Sequence, residues 1–334
     1  MVGMERRRDR KKPSTLVVAG CGRVDPIRGD RIAMIARVSI VVLNYNTRAL
    51  LGACLRSIEQ FAPDAETIVV DNASADGSVE MVRVQFPRFE LMVSPANVGF
   101  ARALNWGLRR ATGTAILALN ADTELCPNTL PGLVALLEQL PRAGILGPCQ
   151  FADDPDDATS PMIASGFGDP TLSAETARLL FFRDSIAARL RIGAWQKPRT
   201  PKRVDWLMGA ALLFRRACLD AIKGFDETQF MYGEDWDIGY RARQAGWEIY
   251  LVPAAPIIHR ENASGQSVFG SSRQAQVLRA NLYFHEKHFG RASRRVLALL
   301  HLIGAGLRLP LFSFSRARWL AQIEQARAAW QGLQ

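Results

Sequence analysis

A chain of 334 residues, 48% hydrophobic and 22% charged, is long enough to bury a sizeable core and has the make-up of a folded α/β-sized domain with appendages. Its formal charge of +10 sits at the ends, since residues 1–31 hold 9 Lys and Arg against 4 Asp and Glu, residues 273–334 hold 10 against 2, and the middle is slightly acidic. That distribution, with no aromatic-basic module, argues against a nucleic-acid partner, and five scattered cysteines without a CxxC pair argue against a disulfide or zinc framework and for a reducing compartment.

Residues 1–36 read as a basic, poorly ordered arm that carries the run "MERRRDRKKP". Gly20-Cys21-Gly22 after "TLVVA" has the look of a dinucleotide loop, but Asp25 stands where the third glycine belongs and Pro26 interrupts the helix that must follow. Nothing before Arg37 has the apolar core of a signal peptide, so the chain is expected on the cytoplasmic side. From Arg37 apolar runs alternate with helical patterns, as consecutive βα units of a mainly parallel sheet do. "RVSIVVLNYN", "ETIVVDNAS", "FELMVSP" and "AILALNAD" read as strands, with helices predicted after Leu50, over Asp76–Phe86, over Val98–Ala111 and over Pro127–Leu140, and "GILGP" behind. Residues 151–203, rich in Asp, Pro, Ser and Arg, read as a variable insertion with a short amphipathic helix in "ARLLFFRDSIAARLRIGAW". Sheet patterning resumes at "VDWLMGAALLFRR", and a helix carries "EDWDIGYRARQAG" into the strand "WEIYLVP". The expected organisation is a domain over 37–270, divided into halves 37–150 and 204–270 by the insertion, followed by a basic, apolar helical region over 271–334.

In open α/β sheets ligands sit beyond the carboxyl ends of the strands, and the polar residues fall there. The first strand ends in Asn44-Tyr45-Asn46, the second in Asp71-Asn72, and the fourth in Asn120-Ala121-Asp122. A carboxylate at Asp122 suits Mg²⁺ or Mn²⁺, which accept one or two protein carboxylates and complete their shell with phosphates and water; an Asp there also fits a helix N-cap, although Pro127 is the better start. Asn97, Gly99 and Asn105 lie in a strand-to-helix turn where Gly99 allows close backbone approach to a nucleotide and Arg102 reaches for a phosphate. Turn and helix-surface roles account for the same residues. Glu234-Asp235-x-Asp237 opens a helix, where acidic residues oppose the helix dipole, and a positioned carboxylate there also serves as a general base, with Tyr232 and Trp236 beside it. His259 is a candidate metal ligand or phosphate contact, while His285 and His288 lack a metal-binding spacing and are expected on a helix surface.

In order, "SIVVLNYN", "IVVDNASADGS", "NVGFARALNWGL", "LALNADTEL", "WLMGAALLFRR", "GFDE", "FMYGEDWDIGYRARQAGWEIYLVP" and "IIH" resemble glycosyltransferase family 2, especially its bacterial rhamnosyltransferase-like members. The resemblance spans Arg37 to His259 and implies an A-type glycosyltransferase fold with a nucleoside-diphosphate sugar as donor, rhamnose from dTDP-rhamnose first and other hexoses from UDP donors next. By position it implies that Asp71 contacts the base and that Asn44 and Asn46 line the nucleotide pocket; Asn97, Gly99 and Asn120, from their places at the strand ends and turn, are further candidates to bind the nucleotide sugar. It implies a divalent metal on Asp122, with His259 as the least secure ligand, and Asp235 of the Glu234-Asp235 pair as catalytic base in an inverting transfer. Trp206, Met208 and Gly209 would border the donor sugar or acceptor. The metal motif reads Asn-Ala-Asp where the family commonly has Asp-x-Asp, so a single carboxylate holds the ion. The implied acceptor is a saccharide or lipid-linked saccharide of cell-surface polysaccharide synthesis. A non-catalytic nucleotide-sugar-binding or membrane-adaptor protein is the alternative; a Rossmann-type oxidoreductase or methyltransferase lacks its glycine fingerprint.

The segment "RVLALLHLIGAGLRLPLFSF" is about as long as the roughly 20 apolar residues a spanning helix needs, but His301, Arg308 and Pro310 interrupt it. With Arg291, Arg294 and Arg295 before it and Arg316 and Arg318 after it, the segment is expected to lie in an anionic membrane interface at the cytoplasmic face; a core helix packed on the domain is the competing expectation.

Overall fold

The computed structural model describes residues 38–157, 160–181, 198–260, 273–308 and 316–333. The basic arm over 1–36, the Gly20-Cys21-Gly22 turn and the greater part of the helix expected after Ala177 lie outside the described residues. Strand β1 (Val38–Asn44), helix α1 (Arg48–Phe61), β2 (Glu66–Asp71), α2 (Ser78–Gln85), β3 (Glu90–Val93), α3 (Phe100–Arg110) and β4 (Ala115–Asn120) follow as βα units. Then come β5 (Thr123–Leu125), α4 (Thr129–Gln139), β6 (Ala143–Phe151), β7 (Met162–Ile163), β8 (Gly166–Phe167) and α5 (Leu172–Phe181). The chain continues through β9 (Lys202–Arg203), β10 (Trp206–Leu207), β11 (Ala211–Arg215), α6 (Arg216–Ile222), α7 (Glu234–Gln244) and β12 (Glu248–His259), and ends in α8 (Arg273–Arg308) and α9 (Arg316–Leu333).

The main sheet has the order β3-β2-β1-β4-β11-β6-β12-β5. Strands β3, β2, β1 and β4 are parallel, β11 runs antiparallel to both β4 and β6, and β12 is parallel to β6. Because β11 sits between β4 and β6, the two expected halves share one sheet. Every residue of β1 is buried, which is why it reads as an unbroken apolar run. The pleat sends Val38, Ile40 and Val42 to one face with Leu51, Leu55 and Ile58 of α1, and Val41 and Leu43 to the other with Ala103, Leu104 and Leu108 of α3. Polar side chains stand at the carboxyl ends of these strands, in Asn44, Asp71 and Asn120.

The strand expected over "WEIYLVP" is longer than its apolar core. Pro253 and Pro256 fall where β12 shifts register between Val252 and Pro256, and beyond that irregularity it goes on pairing with β6 and, antiparallel, with β5. A bulge absorbs the missing proline N–H groups and lets the strand continue. This extension sets His259 opposite Thr123, next to Asp122. The expected insertion also contributes to the framework, since β7 pairs with β6 and β8 with β10. Two-residue strands carry no readable periodicity, which is why the sequence conceals them.

Two expectations about the C-terminal region need correction. His285 is buried, with Nδ1 2.8 Å from Ser293 Oγ and Nε2 2.7 Å from the Pro170 carbonyl, and His288 packs between Tyr240 and Phe284 against Asp237; neither lies on a helix surface. Helix α8 bends at Gly290 (φ 84°), and Leu278, Leu282, Leu297 and Ala298 form a small core with Ala328 and Ala329 of α9. One face of α8 is thus a core, formed around Leu297 and Ala298 with α9 and not on the catalytic domain as the competing expectation had it, while Val296, Leu299 and Ile303 stay exposed on the other. Among the described residues no helix is long and apolar enough to cross a membrane.

Helix α3 approaches the sheet through Gly107, where a Cβ would collide with Val41 Cγ1 and stand 2.8 Å from Val70 Cγ2. Glycine in a helix is ordinarily worse than alanine by about 1 kcal/mol. Gly107→Ala should nevertheless lower stability, by about 1–3 kcal/mol from overpacking; urea denaturation measures the sign, and a stabilised variant would refute this account of the contact.

Candidate active site

A cleft of ≈ 260 Å³ opens at the carboxyl ends of β1 and β4, lined among others by Tyr45, Asn72, Asn97, Gly99, Asn120 and Asp122 from this edge. Its other wall is Met208, Gly209, Phe230, Met231, Tyr232, Glu234, Asp235 and Arg273, and His259 stands beside Asp122. The structure therefore gathers Asn97, Gly99, Asn120, Asp122, Met208, Gly209, Glu234, Asp235 and His259 of the expected residues around one space.

Five expected residues do not line it. Asn44 is wholly buried, donating through Nδ2 to Asp71 Oδ2 (2.8 Å) and Ser74 Oγ (3.0 Å) and accepting from Thr47 Oγ1 (2.7 Å). Asp71 spends its other oxygen on the Ser74 amide (2.8 Å), and Asn46, at φ 51°, binds the Ala75 amide through Oδ1 (2.8 Å). These three knit the β1 and β2 loops together behind the cleft, and Tyr45 and Asn72, their chain neighbours, face it. Trp206 stacks on Phe167 at 4.2 Å and packs against Gly239 of α7, so it supports that helix from behind. Arg102 is turned to Glu227, at 3.3 Å, and does not line the cleft.

The Asn72 side chain binds Asn97 Oδ1 (2.9 Å) and the Val98 amide (3.0 Å), fixing the turn into α3. Gly99, at φ 89°, lines the cleft and brings the backbone up against Phe230: a Cβ there would stand 2.7 Å from the Phe230 carbonyl, which accepts from the Phe100 amide at 2.8 Å. Asn105 locks the far end of the same loop, bonding both the amide and the carbonyl of Phe225 at 2.9 Å. The 226–233 loop is thus clamped to α3, and consecutive left-handed residues Tyr232 (φ 72°) and Gly233 (φ 84°) turn it sharply into α7.

That turn separates the three carboxylates of the motif. Glu234 and Asp235 face the cleft, and burial pushes both carboxyls up, Glu234 further because Asp235 lies beside it. Asp235 Oδ1 also accepts from the Trp236 amide (2.9 Å). One turn on, Asp237 points away from the cleft to Arg241 Nε (2.6 Å), Lys287 Nζ (2.5 Å) and His288 Nε2 (2.8 Å). Burial raises its carboxyl, but the hydrogen bonds from His288 and Lys287 and the charges of Arg241 and Lys287 outweigh burial and hold it below its usual range.

On the opposite wall Asp122 Oδ1 is buried and accepts no hydrogen bond, with His259 Nε2 at 3.5 Å. His259 Nδ1 is 2.8 Å from Gln150 Oε1, so when that oxygen accepts from Nδ1–H, Nε2 turns a lone pair toward the carboxylate. Two acceptors facing one another suit a cation between them. Among the described residues no cluster of three His, Cys, Asp or Glu forms a complete metal shell. The donor set fits an ion held by one carboxylate and one imidazole, the rest of its shell coming from phosphate and water.

Sequence reasoning missed Phe230, Met231 and Arg273 as cleft residues. The first two carry no polar signal, and Arg273 belongs to a helix read as tail.

Both raised carboxyls stay protonated in the folded protein at pH values where the unfolded chain has released those protons, so stability falls as pH rises from the ordinary carboxyl range through the folded values. Glu234→Gln should flatten that loss. Urea midpoints at pH 5 and pH 8 check it: the variant should gain on the wild type at the higher pH, and an unchanged difference would exclude a raised Glu234.

Residues 36–277 match the family described as "Glycosyltransferase like family 2". An N-acetylglucosaminyl-diphospho-decaprenol L-rhamnosyltransferase of Mycobacterium tuberculosis is 28% identical over 267 residues, which cover 75% of this chain and 85% of that protein. The mannosyltransferase PcManGT of Pyrobaculum calidifontis, solved with GDP-Man and Mn²⁺, superposes with a TM-score of 0.52 at 20% identity, covering 89% of this chain and 87% of its own. S. aureus TarS 1-349 with UDP-GlcNAc gives a TM-score of 0.52 at 16% identity, over 89% and 81%. The α/β architecture is the A-type glycosyltransferase fold, and the chain belongs to glycosyltransferase family 2.

Proposed function

We propose that the protein is an inverting glycosyltransferase that moves a hexose, rhamnose from dTDP-rhamnose first, onto a saccharide carried by a polyprenyl diphosphate. The observation that carries this reading is a single cleft with the buried, unsatisfied Asp122 Oδ1 beside His259 on one wall and the raised carboxyl of Asp235 on the other. The mycobacterial relative's name supports the donor and acceptor classes.

In this reading Asp235 takes the proton of the acceptor hydroxyl as its oxygen attacks the anomeric carbon, and the bond to the donor diphosphate breaks on the opposite face. A raised carboxyl is the stronger base for that step. Glu234 keeps the pocket polar, while burial is what raises Asp235. Asp122 and His259 would hold the divalent ion, which when bound neutralises charge on the departing diphosphate. Asn72, Asn97 and Tyr45 form the nucleotide end, and Met208 and Gly209 border the sugar beside Asp235.

A screen of nucleotide sugars for transfer and donor hydrolysis identifies the donor. With it, Asp235→Asn should lose about 10²–10⁴-fold in turnover while binding donor nearly as well, whereas Asp122→Ala and chelation of the wild type should weaken both donor binding and turnover. Near-normal transfer by Asp235→Asn, or a product that retains anomeric configuration by NMR, would sink the mechanism.

Docking on an anionic membrane, where such an acceptor resides, is supported by the exposed Val296, Leu299 and Ile303 on one face of α8, with exposed Arg291 and Arg295 alongside. Replacing all three by serine should abolish flotation with anionic liposomes at low salt and spare donor hydrolysis. Because the other face of α8 is a core, this surface change tests docking more cleanly than removal of the helix. Equal flotation of the variant would reject the surface.

A further inference from the structure

We propose that Arg273 is a phosphate-binding residue of the cleft, taking an oxygen of a substrate diphosphate; this deepens, and rests on, the glycosyltransferase reading. The cleft carries the carboxylates of Asp122, Glu234 and Asp235, and Arg273 is the only arginine or lysine among the described residues that line it. A substrate with a diphosphate entering so acidic a space needs positive charge at the wall.

The other arginines around the cleft are already engaged. Arg102 and Arg109 share Glu227, Arg241 binds Asp237, Arg243 binds Asp169, and Arg260 binds Glu124 and Asp153. No carboxylate among the described residues pairs with Arg273, whose guanidinium carbon lies 5.8 Å from the centre of the Tyr232 ring. An aromatic face orients a guanidinium without quenching its charge, leaving the planar fork of donors free for an anion.

Arg273 is also mounted on a fixed support. It opens α8, and α8 is tied to the loop before α7 and to α7 itself by Lys287, which bridges Asp226 at 2.6 Å and Asp237 at 2.5 Å. Ala280 of α8 stands so close to Gly233 that a Cβ on the glycine would lie 3.1 Å from it. The same contacts that fix the start of α7, with Glu234 and Asp235, therefore fix Arg273 relative to them.

The phosphate has two possible sources in this reaction, the donor's diphosphate and the diphosphate of a lipid-linked acceptor. Full-length wild type, Arg273→Met and Arg273→Lys are titrated by calorimetry with dTDP, UDP and GDP. Transfer is then compared on an alkyl-diphospho-N-acetylglucosamine and on the alkyl glycoside lacking the diphosphate, with the nucleotide sugar that supports turnover.

If the donor supplies the phosphate, Arg273→Met weakens nucleoside-diphosphate binding about ten- to a hundredfold and leaves the preference between acceptors unchanged. If the acceptor supplies it, nucleotide binding is unchanged and the KM advantage of the diphosphate acceptor collapses by a similar factor. Arg273→Lys, with the charge but not the fork, falls between, and unchanged thermal melting of both variants separates this from misfolding. Arg273→Met that binds nucleotides and discriminates acceptors as the wild type does overturns the inference alone. A wild type that binds no nucleoside diphosphate and transfers no sugar overturns the reading beneath it and the inference with it.

Discussion

Three carboxylates within four residues at the start of one helix repel one another, and the site depends on how the fold separates them. The helix dipole favours all three equally. Direction makes the difference: the Tyr232-Gly233 turn sends Glu234 and Asp235 into the cleft, and Asp237, one turn later, meets Arg241, Lys287 and His288. The third charge is thereby neutralised without cations being brought to the first two, whose carboxyls burial leaves raised. Asp226 joins the outer network, where burial raises its carboxyl but Lys287, Thr228 and Tyr283 hold it well below its usual range. Two of the groups that bind Asp237, Lys287 and His288, come from the C-terminal helix, so that helix is part of the site's framework.

The sheet was legible because its strands are buried on both faces and its helices on one, and burial is what hydrophobic periodicity records. The motifs at the strand ends were legible for a related reason, since polar residues interrupting long apolar runs stand out. What they do was less legible. Asn44 and Asp71 have the composition of ligand-binding residues, yet each is hydrogen-bonded to neighbours in the folded chain. A hydrogen-bond partner 27 residues away leaves no local trace. The same holds for Gly99, whose missing side chain admits Phe230 from a loop 131 positions later. His259 was the opposite case, a weakly signalled residue made consequential by a strand extension that two prolines obscured.

The basic C-terminal region shows why net charge is a poor guide to role. Arg273, Lys287, Arg291, Arg294 and Arg295 are indistinguishable in a charge count, but Lys287 is consumed by two aspartates, Arg294 pairs with Glu286 at 2.8 Å, and Arg291 is exposed. Apolar residues divide in the same way along α8, with Leu297 and Ala298 inside and Val296 and Leu299 outside. Adjacent residues in a helix point about 100° apart, so a segment that looks uniformly apolar in sequence can serve a core and a surface at once.

The Asn-Ala-Asp form of the metal motif then acquires a physical reading on the proposed function. A second carboxylate would strengthen ion binding in the empty cleft, and it would add negative charge to a space that already holds Asp122, Glu234 and Asp235. Asn120 supplies polarity without that charge. The protein donors present, one carboxylate and one imidazole, are too few to bind a hard divalent ion tightly by themselves, so the donor's phosphates would have to complete the shell. Ion and nucleotide sugar then bind with mutual dependence. By thermodynamic reciprocity each raises the other's affinity by the same factor, and charge neutralisation reaches the cleft together with the diphosphate that requires it.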